Sequence, residues 1–289
     1  MANEVTSSVI SELYSNVVQS ALYTFSEQAV IRPLVRNYDM TGTPGLVAQV
    51  PKYPAITASD LTDGTDLTTN TAFNTEQFTM TAVERGARIT LTDLAKETAS
   101  EDVAAAIGRQ LGDAMVNKVD SELAALFPSF SNRVGAAGDA VTAETIFKAA
   151  ATLRANNARG PFYCVLHPYM AFDLKKQLAG AGNTNMVNPS NIGNNVLGSS
   201  IIGQLAGITI LESNNVGKDI NDSVSGTGNY VGLAFAEDAI GYMVKRNIRI
   251  ETQRDASLRA DEIVGSMAYG VTELFDEYGV GIIGKGSLA

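Results

Sequence analysis

The chain has 289 residues, 21 Lys and Arg against 31 Asp and Glu, and a net charge of −10 with its one His neutral. That length fits one large or two modest domains, and 45% hydrophobic against 18% charged residues supplies a core and excludes a disordered polyelectrolyte. The acidic balance leaves no basic stripe for gripping nucleic acid, one Cys excludes an internal disulfide or multi-Cys zinc site, and one His excludes the two-His metal motifs.

The first residues carry Glu4 and Glu12, with neither a basic leader nor a continuous apolar run. No stretch approaches the length of a membrane span, so a soluble chain made in a cytoplasm is expected. From Val9 to Phe25 the apolar residues Ile10, Leu13, Tyr14, Val17, Val18, Ala21 and Leu22 recur at steps of three and four. This spacing predicts an amphipathic helix that needs a partner. Pro33, Gly42, Pro44 and Gly45 end it, and a short strand is expected between Leu46 and Pro51.

From Pro54 to Met80 there is no Lys or Arg, four acids (Asp60, Asp63, Asp66 and Glu76) and much Thr, Ser and Asn. Such a stretch cannot build its own core. Phe78, Met80 and Ala82 alternate with polar residues, as do Ile89 and Leu91, so strands flank it. The pattern predicts a hairpin-like arm that turns near Asp63-Gly64 and projects from the body. Bare two-stranded arms are marginal alone, so support from a neighbouring subunit is expected.

Thr98-Ala99-Ser100-Glu101 is a capping box, and a long helix is predicted from there to Phe127-Pro128, roughly 40 Å in length. Its large apolar residues, Val103, Ile107, Leu111, Met115, Val119 and Leu123, step by four, so the stripe drifts around the helix. No single flat partner covers it. The expectation is a helix lying across a sheet with other elements touching its ends. Gly135 to Gly138 read as a loop, and Thr142 caps a helix whose Ile146, Phe147, Ala150 and Leu153 are expected to share a buried face. FYCVL then reads as a buried strand, His167-Pro168 as a turn and YMAFDLKKQL as a helix, which suits an α/β subdomain.

Gln177 to Leu211 is 35 residues without a charge, rich in Asn, Gly and Ser, and is expected to be largely a polar loop. Strands are predicted at Gly207–Leu211 and Tyr230–Phe235, then around Ile248–Thr252, Ile263–Val271 and Tyr278–Ile283.

Three motifs could carry chemistry. Gly279-Val280-Gly281-Ile282-Ile283-Gly284 matches the dinucleotide fingerprint, but only five residues follow Gly284, too few for the helix N-terminus that would hold a phosphate. Cys164 and His167 invite a thiolate–imidazole pair, yet an odd separation on a strand sends them to opposite faces, and Cys164 reads as a small buried hydrophobe. Asp60, Asp63 and Asp66 fail the calcium-loop pattern at Ser59, Leu61 and Asn70. No catalytic, cofactor-binding or metal-ligating residue is therefore singled out. The arm, the amphipathic N-terminal segment and the polar loops suit subunit contacts better than a pocket.

The order of elements resembles the major capsid proteins of tailed bacteriophages, the Hong Kong 97 type fold. Two stretches sharpen the likeness: VLHPYMAFDLKK (165–176), similar to the strand, turn and helix of that family's axial domain, and RADEIVGSMAYGVTELFDEYGVGII (259–283), similar to its closing strands beside the spine helix. The resemblance implies an α+β fold with an N-terminal arm and helix (1–40) and an extended β-hairpin loop (41–92). A peripheral domain with the spine helix (93–140), an axial α/β domain (141–238) and peripheral return strands (239–289) would follow. It further implies homo-pentamers and homo-hexamers tiling an icosahedral virion shell, assembled in the host cytoplasm around double-stranded DNA without sequence-specific contacts. A scaffolding protein, a portal and cement proteins are the implied partners, with no membrane and no cofactor. Some relatives cross-link a loop Lys to an Asn; the absence of Lys from 54 to 80 argues against that here. An encapsulin-like shell for protein cargo and a soluble α/β enzyme are the alternative expectations.

Overall fold

In a computed structural model the protein is described at residues 28–52, 76–94, 103–180, 203–217 and 228–286, together with Gln19, Ala21, Tyr23, Thr24, Ala58, Asp60, Asp63 and Gly64. The capping box at 98–101, most of the expected N-terminal helix and most of the polar loop lie outside the described residues. Gln19, Ala21, Tyr23, Thr24 and Gln28 are helical, in line with the 3.6-residue pattern.

Two sheets organise the molecule. The first has the order β1 (Arg36–Asp39), β10 (Ile240–Asp255), β11 (Ala260–Glu273) and β4 (Val83–Thr92). Its spine is the long antiparallel pair β10·β11, in register from Ile240↔Glu273 to Asp255↔Ala260 apart from two irregularities. The second has the order β5 (Arg133–Ala140), β12 (Gly279–Lys285), β9 (Asn229–Ala236), β6 (Phe162–Leu166), β8 (Ile208–Glu212) and β7 (Gly203–Leu205). A separate antiparallel ribbon joins β2 (Val47–Lys52) to β3 (Glu76–Thr81), in register from Val47↔Thr81 to Lys52↔Glu76. The ribbon joins the two ends of the stretch expected to form an arm, most of which lies outside the described residues. Asp63 and Gly64 form a turn, with Gly64 at φ +77°.

The long helix α1 (Val103–Ala124) lies on the first sheet, and its drifting stripe meets two sets of partners. Near its start Ile107 and Leu111 pack with Ala21, Leu91, Ile250 and Ile263. Further on, Met115, Val116, Val119 and Leu123 join Ile31, Val35, Phe235, Tyr242 and Tyr269 in the largest cluster. Full burial of such side chains stabilises by about 1.5–3 kcal/mol each. The helices α2 (Ala143–Ala155) and α3 (Pro168–Gly180) cover the opposite face of the second sheet, where Ile146, Leu153, Met170 and Leu174 meet Cys164, Leu166, Ala234 and Ile282. Strand β9 is buried throughout because Val231, Leu233 and Phe235 enter the larger cluster while Tyr230 and Ala234 enter the other. That explains its unbroken apolar run.

Three expectations are corrected. Gly135 to Gly138 lie within strand β5, paired parallel to β12, and not in a loop. Gly135 and Gly138 take φ +88° and +89°, and a Cβ on Gly135 would stand 2.1 Å from the Ile283 carbonyl oxygen, so glycine here permits a kinked edge strand. Phe147 is 42% exposed, because the buried face of α2 is Ile146, Ala149, Ala150 and Leu153, the i, i+3, i+4, i+7 set that excludes it. The closing strands also part company. β11 packs beside α1, but β12 joins the second sheet between β5 and β9, so residues 239–289 divide between two sheets.

Candidate functional site

The motifs with chemical potential resolve into packing. Gly279 to Gly284 lie in β12, flanked by a short 3-10 turn at Asp276–Tyr278. A Cβ on Gly279 would come within 2.3 Å of the Phe130 ring, and one on Gly284 within 2.4 Å of Val141, so neighbouring side chains occupy the space a phosphate would need. Cys164 is fully buried, and burial pushes its thiol pKa well above the ordinary range. His167 stacks on Tyr230, ring centroids 3.9 Å apart, and its Nδ1 accepts the Tyr169 N–H at 3.2 Å. Since the His167 carbonyl accepts the Ala171 N–H, the imidazole stands at the N-cap of α3 and serves the helix. Asp60 and Asp63 are exposed; Asp66 lies outside the described residues. No cluster of three or more metal-ligating side chains occurs among the described residues.

The clefts share this character. One of about 510 Å³ lies along Arg32, Tyr38, Asp39 and Asn247, and another of about 540 Å³ along Asp139, Glu144, Thr145 and Lys148. In the second, Thr142 and Thr145 are engaged in capping α2 and Lys148 pairs with Glu144.

The chain invests more in surfaces and anchors. Asp120, buried on α1, accepts the backbone N–H groups of Val30 (2.9 Å), Ile31 (3.3 Å) and Arg32 (3.3 Å), tying the segment before β1 to the long helix. Burial raises its carboxyl pKa, and the three hydrogen bonds oppose that shift. About two turns earlier on α1, a Cβ on Gly112 would stand 2.7 Å from the Ala21 carbonyl oxygen, so the N-terminal helix crosses α1 at contact distance. Glu122 lies between Arg85 (2.8 Å) and Lys118 (3.2 Å); burial opposes its ionisation, but these cations win and lower its pKa. Arg254 is held by Asp93 (2.5 Å) and Asp261 (3.2 Å), and Arg246 by Glu84. Such exposed pairs are screened by solvent and individually add little to stability.

Large apolar side chains remain exposed where the ribbon meets the first sheet and at the far end of that sheet. Leu46, Val47 and Val83 cluster in sequence and pairing at the arm root, where Leu46 accepts the Ala82 N–H. Leu94 (70% exposed) and Leu258 (57%) flank the Asp93–Arg259 backbone bond beside the β10–β11 turn. Sequence reading missed Asp120, although one signal was present: an acid one turn from Val116 on the apolar face of α1.

The fold is that of phage capsids. It is similar to the capsid of cyanophage P-SCSP1u, at 20% identity and TM-score 0.71 over 90% of this chain and 89% of that one. A structure from Mycobacterium phage Che8 is similar at 20% identity and TM-score 0.69, over 88% and 91%. A virus-like particle from Pyrococcus furiosus is similar at 11% identity and TM-score 0.59, over 93% and 98%. No curated protein matches the sequence. Residues 75–282 match the model of the phage capsid protein family, well over half of the chain, and the chain belongs to that family. It is a phage major capsid protein with a structural role in the virion, built on the Hong Kong 97 type fold whose resemblance was carried by residues 165–176 and 259–283.

Proposed function

We propose that the chain forms the pentamers and hexamers of an icosahedral shell enclosing double-stranded phage DNA. The single observation that carries this reading is the family match across 75–282 on a chain whose sequence-motif chemistry is absorbed into packing. In this reading residues 1–40 are the N-terminal arm, 41–92 the extended loop rooted in β2·β3, and 93–140 the peripheral domain with α1 as spine helix. Residues 141–238 are the axial domain, and 239–289 return, β10 and β11 to the peripheral domain and β12 to the axial sheet. The exposed leucines at the arm root and beside the β10–β11 turn suit contacts between copies. A net charge of −10 repeated over a shell lets DNA be enclosed without being gripped. Assembly in the host cytoplasm, on a scaffolding protein, with a portal and with cement proteins, completes the proposal.

Negative-stain microscopy with mass measurement by light scattering tests it. Closed shells, or rings of five and six, are expected; a homogeneous monomer even with scaffold supplied overturns it.

A further inference from the structure

Besides the long connection through α1, two short crossovers join the two sheets, Glu237–Ala239 between β9 and β10 and residues 274–278 between β11 and β12. The crossovers bond to each other: Leu274 and Phe275 both donate their N–H to the Ala239 carbonyl, at 2.8 and 3.3 Å. Neighbouring elements hold the second one. The Ser131 N–H donates to Asp276 at 2.7 Å, and Asn156 at the end of α2 donates to the Glu277 carbonyl at 2.9 Å.

The arm root reaches the same place. Phe78 of β3 meets Phe275 edge to face at 5.4 Å between centroids, and the Lys52 ammonium of β2 stands 5.6 Å from the Phe78 ring and 5.2 Å from the Phe275 ring. Phe275 in turn stacks on Tyr278 at 5.0 Å. The chain from arm to crossover is therefore one of ring and cation–π contacts, each specific in direction. Beyond it lies a cleft of about 800 Å³ lined by Arg154, Arg159, Phe162, Asp238, Phe275 and Tyr278, so both rings have open volume into which they can rotate.

We propose that Phe275 is a coupling element that ties the β2·β3 ribbon to the junction between the two sheets. Losing the Phe78 or Lys52 contact frees the Phe275 ring and loosens the 274–278 crossover along with the ribbon. Three segments far apart in sequence thus share one contact whose loss is felt at all three.

Hydrogen exchange by mass spectrometry on the purified full-length subunit tests this, comparing wild type with Phe78→Leu, Phe275→Leu and, as a control, Val47→Thr at the exposed face of the arm root. Phe78→Leu is expected to raise exchange about tenfold both at the arm root and at segments 237–239 and 273–278, with the double variant no looser than either single one. Val47→Thr should leave the crossovers unchanged. Exchange that rises only at the arm root in Phe78→Leu, or nowhere, overturns the proposal. If Phe275→Leu fails to fold, Phe78→Leu and Lys52→Met still give the decision. The readout is made on the subunit, so it stands whether or not shells form.

Discussion

Asp120 shows how much one residue can organise. Its carboxylate satisfies three main-chain donors that would otherwise be buried without acceptors, so Asp120→Ala should destabilise the subunit by about 1–3 kcal/mol in urea unfolding, and Asp120→Asn, which keeps an acceptor, by less. The pH dependence has a definite sign. Burial raises the folded-state pKa above the unfolded value, so the contribution is fully present below the unfolded pKa and is lost as pH rises through the folded one. The stability difference between wild type and Asp120→Asn should therefore shift in favour of Asn as pH rises across the acid range. Cys164 gives a second check. With its thiol fully buried and its pKa pushed up, a thiol reagent should leave the native subunit unlabelled and react only as denaturant unfolds it. Fast labelling of native protein would contradict the buried-hydrophobe reading.

Among the elements, periodicity located the described helices and most of the strands, and missed β1, β5 and β7, where a paired neighbour decides the conformation. The glycines among the eight residues of β5 predict a loop; the parallel partner β12 makes it a strand, and Gly281 of β12 pairs with Arg133 across the whole intervening chain. Phe147 is expected on the face of Ile146, Ala150 and Leu153, but its angular position on α2 points away from the sheet. The contact between α1 and the N-terminal helix turns on Gly112. Gly112→Val places side-chain atoms against the Ala21 carbonyl and should cost about 1–3 kcal/mol, with earlier proteolytic release of the N-terminal segment. Wild-type melting and cleavage in that variant would mean that the crossing helix adjusts freely.

On the scale of the whole molecule, Ala21 and Thr24 are buried, so the N-terminal segment contributes to the subunit core as well as to any contact between copies. Deleting residues 1–30 removes that cover from Ile107 and Leu111 and is expected to lower the subunit's melting temperature; an unchanged melt with weakened particles would confine the segment to assembly. The acidic arm is the opposite case. Asp60 and Asp63 are exposed, and reversing them together with Asp66 should lower particle yield while leaving circular dichroism of the subunit unchanged. Equal yields would remove the idea that the arm docks on a basic neighbouring surface.

The sequence by itself determined the class of fold, the position of the long helix and the middle stretches of the two long strands. Those are local properties: side-chain period, capping, turn chemistry and residue type are written within a few residues of where they act. Only the tertiary structure decided that β12 leaves β11 for the second sheet, that Asp120 faces three main-chain N–H groups, and that Lys52, Phe78 and Phe275 meet. Each of those contacts joins segments roughly ninety or more residues apart, or a strand to a partner chosen by packing, and no spacing along the chain encodes a meeting in space.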